Sequence, residues 1–212
     1  MINISSFIFN FFQENTYILS DETSQCVIVD PGFSTKIEKR EFKDFITSKN
    51  LNPVGVINTH CHIDHILGCA DLQKTYNIPF YTHKNELDLL QNAKEYGKFF
   101  GLEIDHIPQP DKFLDEGDEY KFGNSTLSIL CVPGHSPGSI CLYSKNDKFI
   151  LTGDVLFRGS IGRSDLPGGD YDTLIKNIKT KILILPREVS VFSGHGPKTN
   201  IGLEFDTNPF LK

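Results

Sequence analysis

Residues 60–65 read His-Cys-His-Ile-Asp-His, and no other stretch of the chain restricts its folding and chemistry so sharply. Three histidines and an aspartate fall within six positions, although the 212 residues hold only 7 histidines. The segment follows residues 53–58, an apolar run of strand type, and leads into residues 65–77, where the apolar positions take helical spacing. In extended backbone, positions i and i+2 share a face, so His60 and His62 are expected to point the same way. Asp64 and His65 stand where the chain turns into the helix and can reach a second point nearby. Imidazole and carboxylate donors without thiolate suit an open catalytic site for zinc or another borderline divalent ion, so two neighbouring ion positions are expected. The plainer reading, Asp64 as a helix cap beside solvated histidines, leaves that density of donors unexplained.

Two such positions need further ligands, and three candidates each follow a strand-like run and adjoin glycine. They are His135 in Val132-Pro133-Gly134-His135, Asp154 in Leu151-Thr152-Gly153-Asp154, and His195 in Phe192-Ser193-Gly194-His195-Gly196. Glycine permits positive φ and close backbone approach, and strand ends opening on one rim aim loop residues at a common point. His83 and His106 lack that setting and are read as exposed or capping. Cys61, alternating away from its two histidine neighbours, is read as a small buried residue. Arg158 and Arg163 fit solvent or substrate equally well.

The remaining pattern is α/β. Strand-like runs cover residues 2–12, 16–19 and 25–29, the last closed by Asp30-Pro31-Gly32. A helix is predicted over 34–50 with Ser34 as its cap, then a strand over 53–58, a helix over 65–77, a strand over 79–82 and a helix over 84–100. The second half offers strands at 119–122, 125–132, 139–143 and 148–152, a helix over 171–185 and a strand at 188–192. No linker or repeat divides the chain, so one domain over residues 1–212 is expected, with two sheets face to face and helices outside.

Composition narrows the function. With 21 Lys and Arg against 27 Asp and Glu the net charge is −6, which disfavours a phosphate-tracking surface and hence nucleic acid as partner. No apolar stretch approaches the roughly 20 residues that span a bilayer, so no membrane partner is expected. The first residues lack the basic region and apolar run of a secretory signal. Five cysteines form no Cys-x-x-Cys pair, and a reducing cytoplasm is the expected setting. Ser-x-x-Lys and Walker patterns are absent, which removes P-loop enzymes and serine hydrolases of the Ser-x-x-Lys type.

Thr-His-x-His-x-Asp-His from Thr59, followed by Pro-Gly-His, Gly-Asp and Gly-His-Gly, resembles the metallo-β-lactamase superfamily over nearly the whole chain. The resemblance implies a four-layer αβ/βα sandwich of two mixed sheets flanked by helices. It also implies that His60, His62 and His135 hold one metal ion, that Asp64, His65 and His195 hold a second, and that Asp154 bridges them. Two divalent ions are thus expected, zinc first, with iron or manganese as alternatives. A water bridging the ions beside Asp154 and Asp64 would be acidified and attack a polarised carbonyl. Thr152–Arg158, Gly162–Asp170 and Gly194–Thr199 are similar to the hydroxyacylglutathione hydrolase (glyoxalase II) branch, especially its compact members. A small-molecule acyl thioester such as S-D-lactoylglutathione is the implied substrate, with a thiolate leaving group that needs little general-acid help.

In that branch a basic residue nine positions past the bridging Asp binds the thiol carrier, and Arg163 stands there, but Asp165 replaces an aromatic expected two residues later. Residues 196–212 are too few for the helical thiol-binding region of larger glyoxalase II enzymes, so a smaller thioester is an alternative. Rival readings are a persulfide dioxygenase using one iron, which shares Gly-Arg-x-Asp at Gly162–Asp165, a hydrolase of another ester or lactone, and a non-catalytic metal-binding module. The last would show lost ligands, whereas all seven positions match.

Overall fold

A computed structural model describes residues 1–102, 104 and 106–212. Its first sheet runs β1 (Asn3–Phe9), β2 (Glu14–Ser20), β3 (Gln25–Val29), β4 (Asn52–Ile57), β5 (Phe80–Thr82) and β6 (Lys112–Phe113), in that spatial order. The first three strands pair antiparallel and the rest parallel. The second sheet contains β7 (Glu119–Phe122), β8 (Ser125–Cys131), β9 (Ile140–Ser144), β10 (Phe149–Gly153), β13 (Ser190–Ser193) and β14 (Thr199–Asn200), ordered 14-13-10-9-8-7. β11 (Leu156–Phe157) and β12 (Ser160–Ile161) form a separate small hairpin.

Strand alternation builds the layers. Tyr17, Leu19, Val27 and Val29 of the first sheet share one core with Leu127, Ile129, Leu142 and Leu151 of the second. The intervening Ile18, Cys26 and Ile28 face outward against helices α1 (Lys36–Ser48) and α3 (Cys69–Tyr76), through Phe42, Ile46 and Leu72. On the far side Cys141 and Ile150 meet α6 (Tyr171–Asn177), the turn Ile178–Ile182 and α7 (Ile201–Thr207), through Leu174, Ile178 and Ile201. Because successive strand residues point to opposite faces, apolar runs in these strands require cover on both sides. The result is the expected helix–sheet–sheet–helix sandwich.

Several boundaries differ from the sequence reading. Thr35, not Ser34, caps α1, closing a capping box with Glu38. The helix expected over 65–77 is two pieces, α2 (Ile63–Ile66) and α3, parted at Gly68. There the backbone presses on the turn after β3: Gly68 N–H donates to Pro31 O at 2.7 Å, and a Cβ would lie 2.7 Å from the Phe33 ring. The helix expected over 84–100 becomes a 3-10 turn (Lys84–Glu86), α4 (Leu87–Gln91) and α5 (Ala93–Phe99), broken at Asn92. The helix expected over 171–185 is α-helical only through Asn177 and then widens into a π-helical turn. The short β6, β11, β12 and β14 and helix α7 carry too little periodicity to be read in advance. Among the described residues, no helix is long and apolar enough to cross a membrane.

Candidate metal centre

Strand direction delivers the donors. β3 and β4 are parallel, with Val29 beside Ile57, so Asp30 and the Thr59–His65 segment leave the first sheet at the same rim. β10 and β13 are likewise parallel, with Gly153 beside Ser193, which brings Asp154 and His195 out together. β8 runs in the direction of β10, because each is antiparallel to β9, and His135 follows it. Gly153 sits at φ +48° where a Cβ would strike Thr59, so the turn into Asp154 requires glycine. The two rims are tied together by Asn15, whose N–H donates to Gly194 O at 2.7 Å, and by the Tyr17 hydroxyl, which donates to Ser193 O at 2.7 Å.

All seven predicted donors meet at this rim. His135 Nε2 lies 2.9 Å from His62 Nδ1 and 3.2 Å from His60 Nε2. Imidazole nitrogens about 2.0–2.1 Å from one tetrahedral zinc stand roughly 3.3 Å apart, so these three fit a single small cation. Beside them, Asp64 Oδ2 is 3.1 Å from His195 Nε2 and 3.6 Å from His65 Nε2. Asp154 faces both groups: its Oδ1 is 3.5 Å from His65 Nε2, and its Oδ2 is 3.7 Å from His135 Nε2 and 3.6 Å from His195 Nε2. Nε2 of His65 and Oδ1 of Asp154 are buried without a hydrogen-bond partner. Such groups are costly in a protein interior unless something positive satisfies them. The donor set therefore fits two divalent ions.

Neighbouring oxygens set each ring. Nδ1 of His135 donates to Arg163 O at 2.7 Å, and Nδ1 of His195 to Phe12 O at 3.1 Å, which leaves each Nε2 lone pair facing the centre. Asp30 Oδ2 stands 3.2 Å from His65 Nδ1 and accepts from the Thr59 hydroxyl at 2.6 Å, while its Oδ1 accepts from Thr59 N–H at 2.7 Å. Thr59 Oγ1 in turn lies 3.2 Å from His60 Nδ1. Glu86, fully buried, accepts from Cys61 N–H at 2.6 Å, Gly138 N–H at 2.6 Å and the Ser136 hydroxyl at 2.8 Å, pinning the His60–His62 segment to the loop that carries His135. Asp30 and Glu86 were missed in the sequence. Asp30 was read only as a turn residue, though its place at the end of a strand parallel to the one feeding the cluster is a usable signal.

Electrostatics divide the site. Burial holds His60 well below its ordinary pKa and, with His135 alongside, brings His62 down to about 3, so both rings are neutral donors. Burial would also lower His65, but Asp64, Asp154 and Asp30 prevail and raise it. Burial opposes ionisation of Asp64, yet His65 and His195 keep its carboxyl below the usual range. The Asp64 side is therefore a sink for positive charge.

The other candidates resolve simply. His83 caps the 3-10 turn, accepting from Asn85 N–H at 3.1 Å, and is buried rather than exposed; His106 is exposed. Cys61 is buried, as expected. The Arg163 side chain is exposed and makes a two-pronged ion pair with Asp165, both bonds 2.8 Å. Above the donors opens a cavity of about 480 Å³, walled by Phe12, Leu89, Tyr96, Phe100, Phe157 and Leu166, with Arg163 also lining it.

The sequence model described as the metallo-beta-lactamase superfamily matches residues 9–195. A relative from Bacillus subtilis (strain 168), named probable metallo-hydrolase YqgX, is 41% identical over 200 residues, covering 94% of this chain and 92% of its own. The hydroxyacylglutathione hydrolase GloC of Haemophilus influenzae is 37% identical over 203 residues, covering 94% and 93%. Among solved structures, the BLEG-1 B3 metallo-beta-lactamase superposes with TM-score 0.90 at 35% identity, covering 99% of this chain and 100% of that one. TTHA1623 in a di-iron-bound form superposes with TM-score 0.88 at 36% identity, covering 98% and 100%.

Proposed function

Because the chain belongs to the metallo-β-lactamase superfamily, whose relatives here are named metallo-hydrolases, we propose that it is a dinuclear hydrolase of acyl thioesters such as S-D-lactoylglutathione. The observation that carries the reading is the pair of adjoining donor groups with Asp154 facing both. His60, His62 and His135 would hold one ion and Asp64, His65 and His195 the other, with Asp154 facing both. When bound, two divalent ions make water acidic enough to act near neutral pH and polarise the carbonyl under attack. Zinc suits the nitrogen-rich group, and the two irons of the TTHA1623 relative make iron the alternative.

The chain's own residues supply the rest. Asp30, Arg163 O and Phe12 O hold three imidazoles in the tautomer that presents Nε2 inward. Asp64 and Asp154 set negative charge beside His65 and His195, which would help hold the second cation there. The apolar wall excludes bulk water from the reacting carbonyl. A thiolate leaving group needs no acid, and GloC is named for a thioester hydrolase activity, which supports this substrate class. The test is Asp154→Ala and His60→Ala with metal content and S-D-lactoylglutathione hydrolysis measured together. Loss of both with the fold retained is expected; wild-type turnover in either variant overturns the assignment.

A further inference from the structure

Resting on the thioesterase reading, we propose that the site prefers thioesters with an apolar acyl chain on a neutral thiol over those with a charged carrier. The wall above the donors is aliphatic and aromatic, and it comes from three parts of the chain. Leu89 and Tyr96 face in from α4 and α5, Phe12 from the turn after β1, and Leu166 from the loop after Arg163. Phe12 packs edge-on against Phe100 with centroids 5.1 Å apart, so the aromatic wall continues to the mouth, where Phe100 is 52% exposed. A cavity of about 480 Å³ is of small-molecule size and much larger than a lactoyl group needs.

Charge at the mouth points the same way. Among the described residues that line the cavity, Arg163 is the one Lys or Arg. Its Nε and one terminal nitrogen each donate to Asp165 at 2.8 Å, which sets a carboxylate against its charge and occupies the edge that would grip a substrate carboxylate two-pronged. A tripeptide thiol carrying carboxylates meets an apolar wall and an arginine whose two-pronged edge Asp165 already occupies. An alkyl or aryl acyl group meets surface it can dry. Burying one methylene favours binding by an amount that corresponds to about a threefold to fourfold gain, so kcat/KM should climb by that factor with each added carbon until the wall is covered.

The experiment uses the metal-loaded full chain with two matched series, acetyl to octanoyl thioesters of N-acetylcysteamine and the same acyl groups on glutathione. Expected are a rise of about threefold to fourfold per methylene, and a higher kcat/KM for the neutral thiol at equal acyl length. Phe100→Ala, at a position 52% exposed, should cut the octanoyl-to-acetyl ratio roughly tenfold, with the melting temperature checked to show that the fold is kept. Asp165→Asn, which frees the Arg163 guanidinium, should lower KM for the glutathione series severalfold and leave the neutral series behind. Chain-length independence, or glutathione thioesters outrunning neutral ones in the wild type, overturns this inference and leaves the thioesterase reading standing. If every thioester is inert while a lactone or β-lactam turns over, both fail.

Discussion

Asp30 is expected to control ion affinity without touching an ion, and the substitution Asp30→Asn isolates that role. The carboxylate is 1% exposed and serves Thr59 N–H at 2.7 Å, the Thr59 hydroxyl at 2.6 Å and His65 Nδ1 at 3.2 Å. Asparagine keeps one oxygen for Thr59 N–H, and the hydroxyl can rotate to accept from the new amide. His65 has no such freedom: facing an N–H donor, its Nδ1 must give up its proton, which moves to Nε2. That is the atom aimed at Asp64 and Asp154, 3.6 and 3.5 Å away, and a protonated Nε2 has no lone pair for a cation. Loss of such a supporting carboxylate typically weakens ion affinity about 10- to 100-fold. Asp30→Ala differs, because it strands the Thr59 amide and the His65 ring N–H at about 1–3 kcal/mol each, a loss of roughly 2–6 kcal/mol in the fold itself. Competition against a chromophoric chelator measures the first effect and chemical denaturation of the metal-free protein the second. If Asp30→Asn binds both ions as tightly as the wild type, the tautomer argument is refuted.

Glu86→Ala should destabilise the protein by roughly 2–5 kcal/mol, since the buried amides of Cys61 and Gly138 lose their acceptor, and urea unfolding checks it. Glu86→Gln, which retains an acceptor oxygen, should cost less. In the metal-free protein, His62 titrates near 3 when folded but at its ordinary 6.5 when unfolded, and His60 is shifted in the same direction. Between those values the unfolded chain binds more protons, so these rings make stability fall as pH drops from about 6.5 toward 3. His65 is shifted upward, so its contribution is full below 6.5 and is lost as pH rises through its folded value. Thermal midpoints across pH 3–9 should therefore pass through a maximum, and a midpoint that keeps rising with acidity would contradict the assignment of His60 and His62 as neutral donors.

Much of the donor set was legible because metal chemistry imposes residue types at close spacing. His60, His62, Asp64 and His65 are near in sequence, and His135, Asp154 and His195 each follow a strand and a glycine. The layered fold was legible from apolar strands that need cover on both faces. Asp30 and Glu86 were not, since a lone carboxylate acquires its role only when a parallel neighbour or a facing loop is placed beside it. The broken helices over 65–77 and 84–100 were hidden for a related reason: apolar spacing continues across each break, and only the close approach at Gly68 shows why the first one stops. The Asp165 clamp on Arg163 likewise follows from loop geometry that periodicity does not encode.

The central claim, a two-ion thioester hydrolase, is met most directly by stripping the protein with chelator and titrating zinc, iron or manganese back while bound metal and S-acyl thioester hydrolysis are recorded on the same samples. The expected result is activity that reaches its plateau at two ions per chain. One iron per chain at full activity, with oxygen consumed on glutathione persulfide and thioesters untouched, would contradict it.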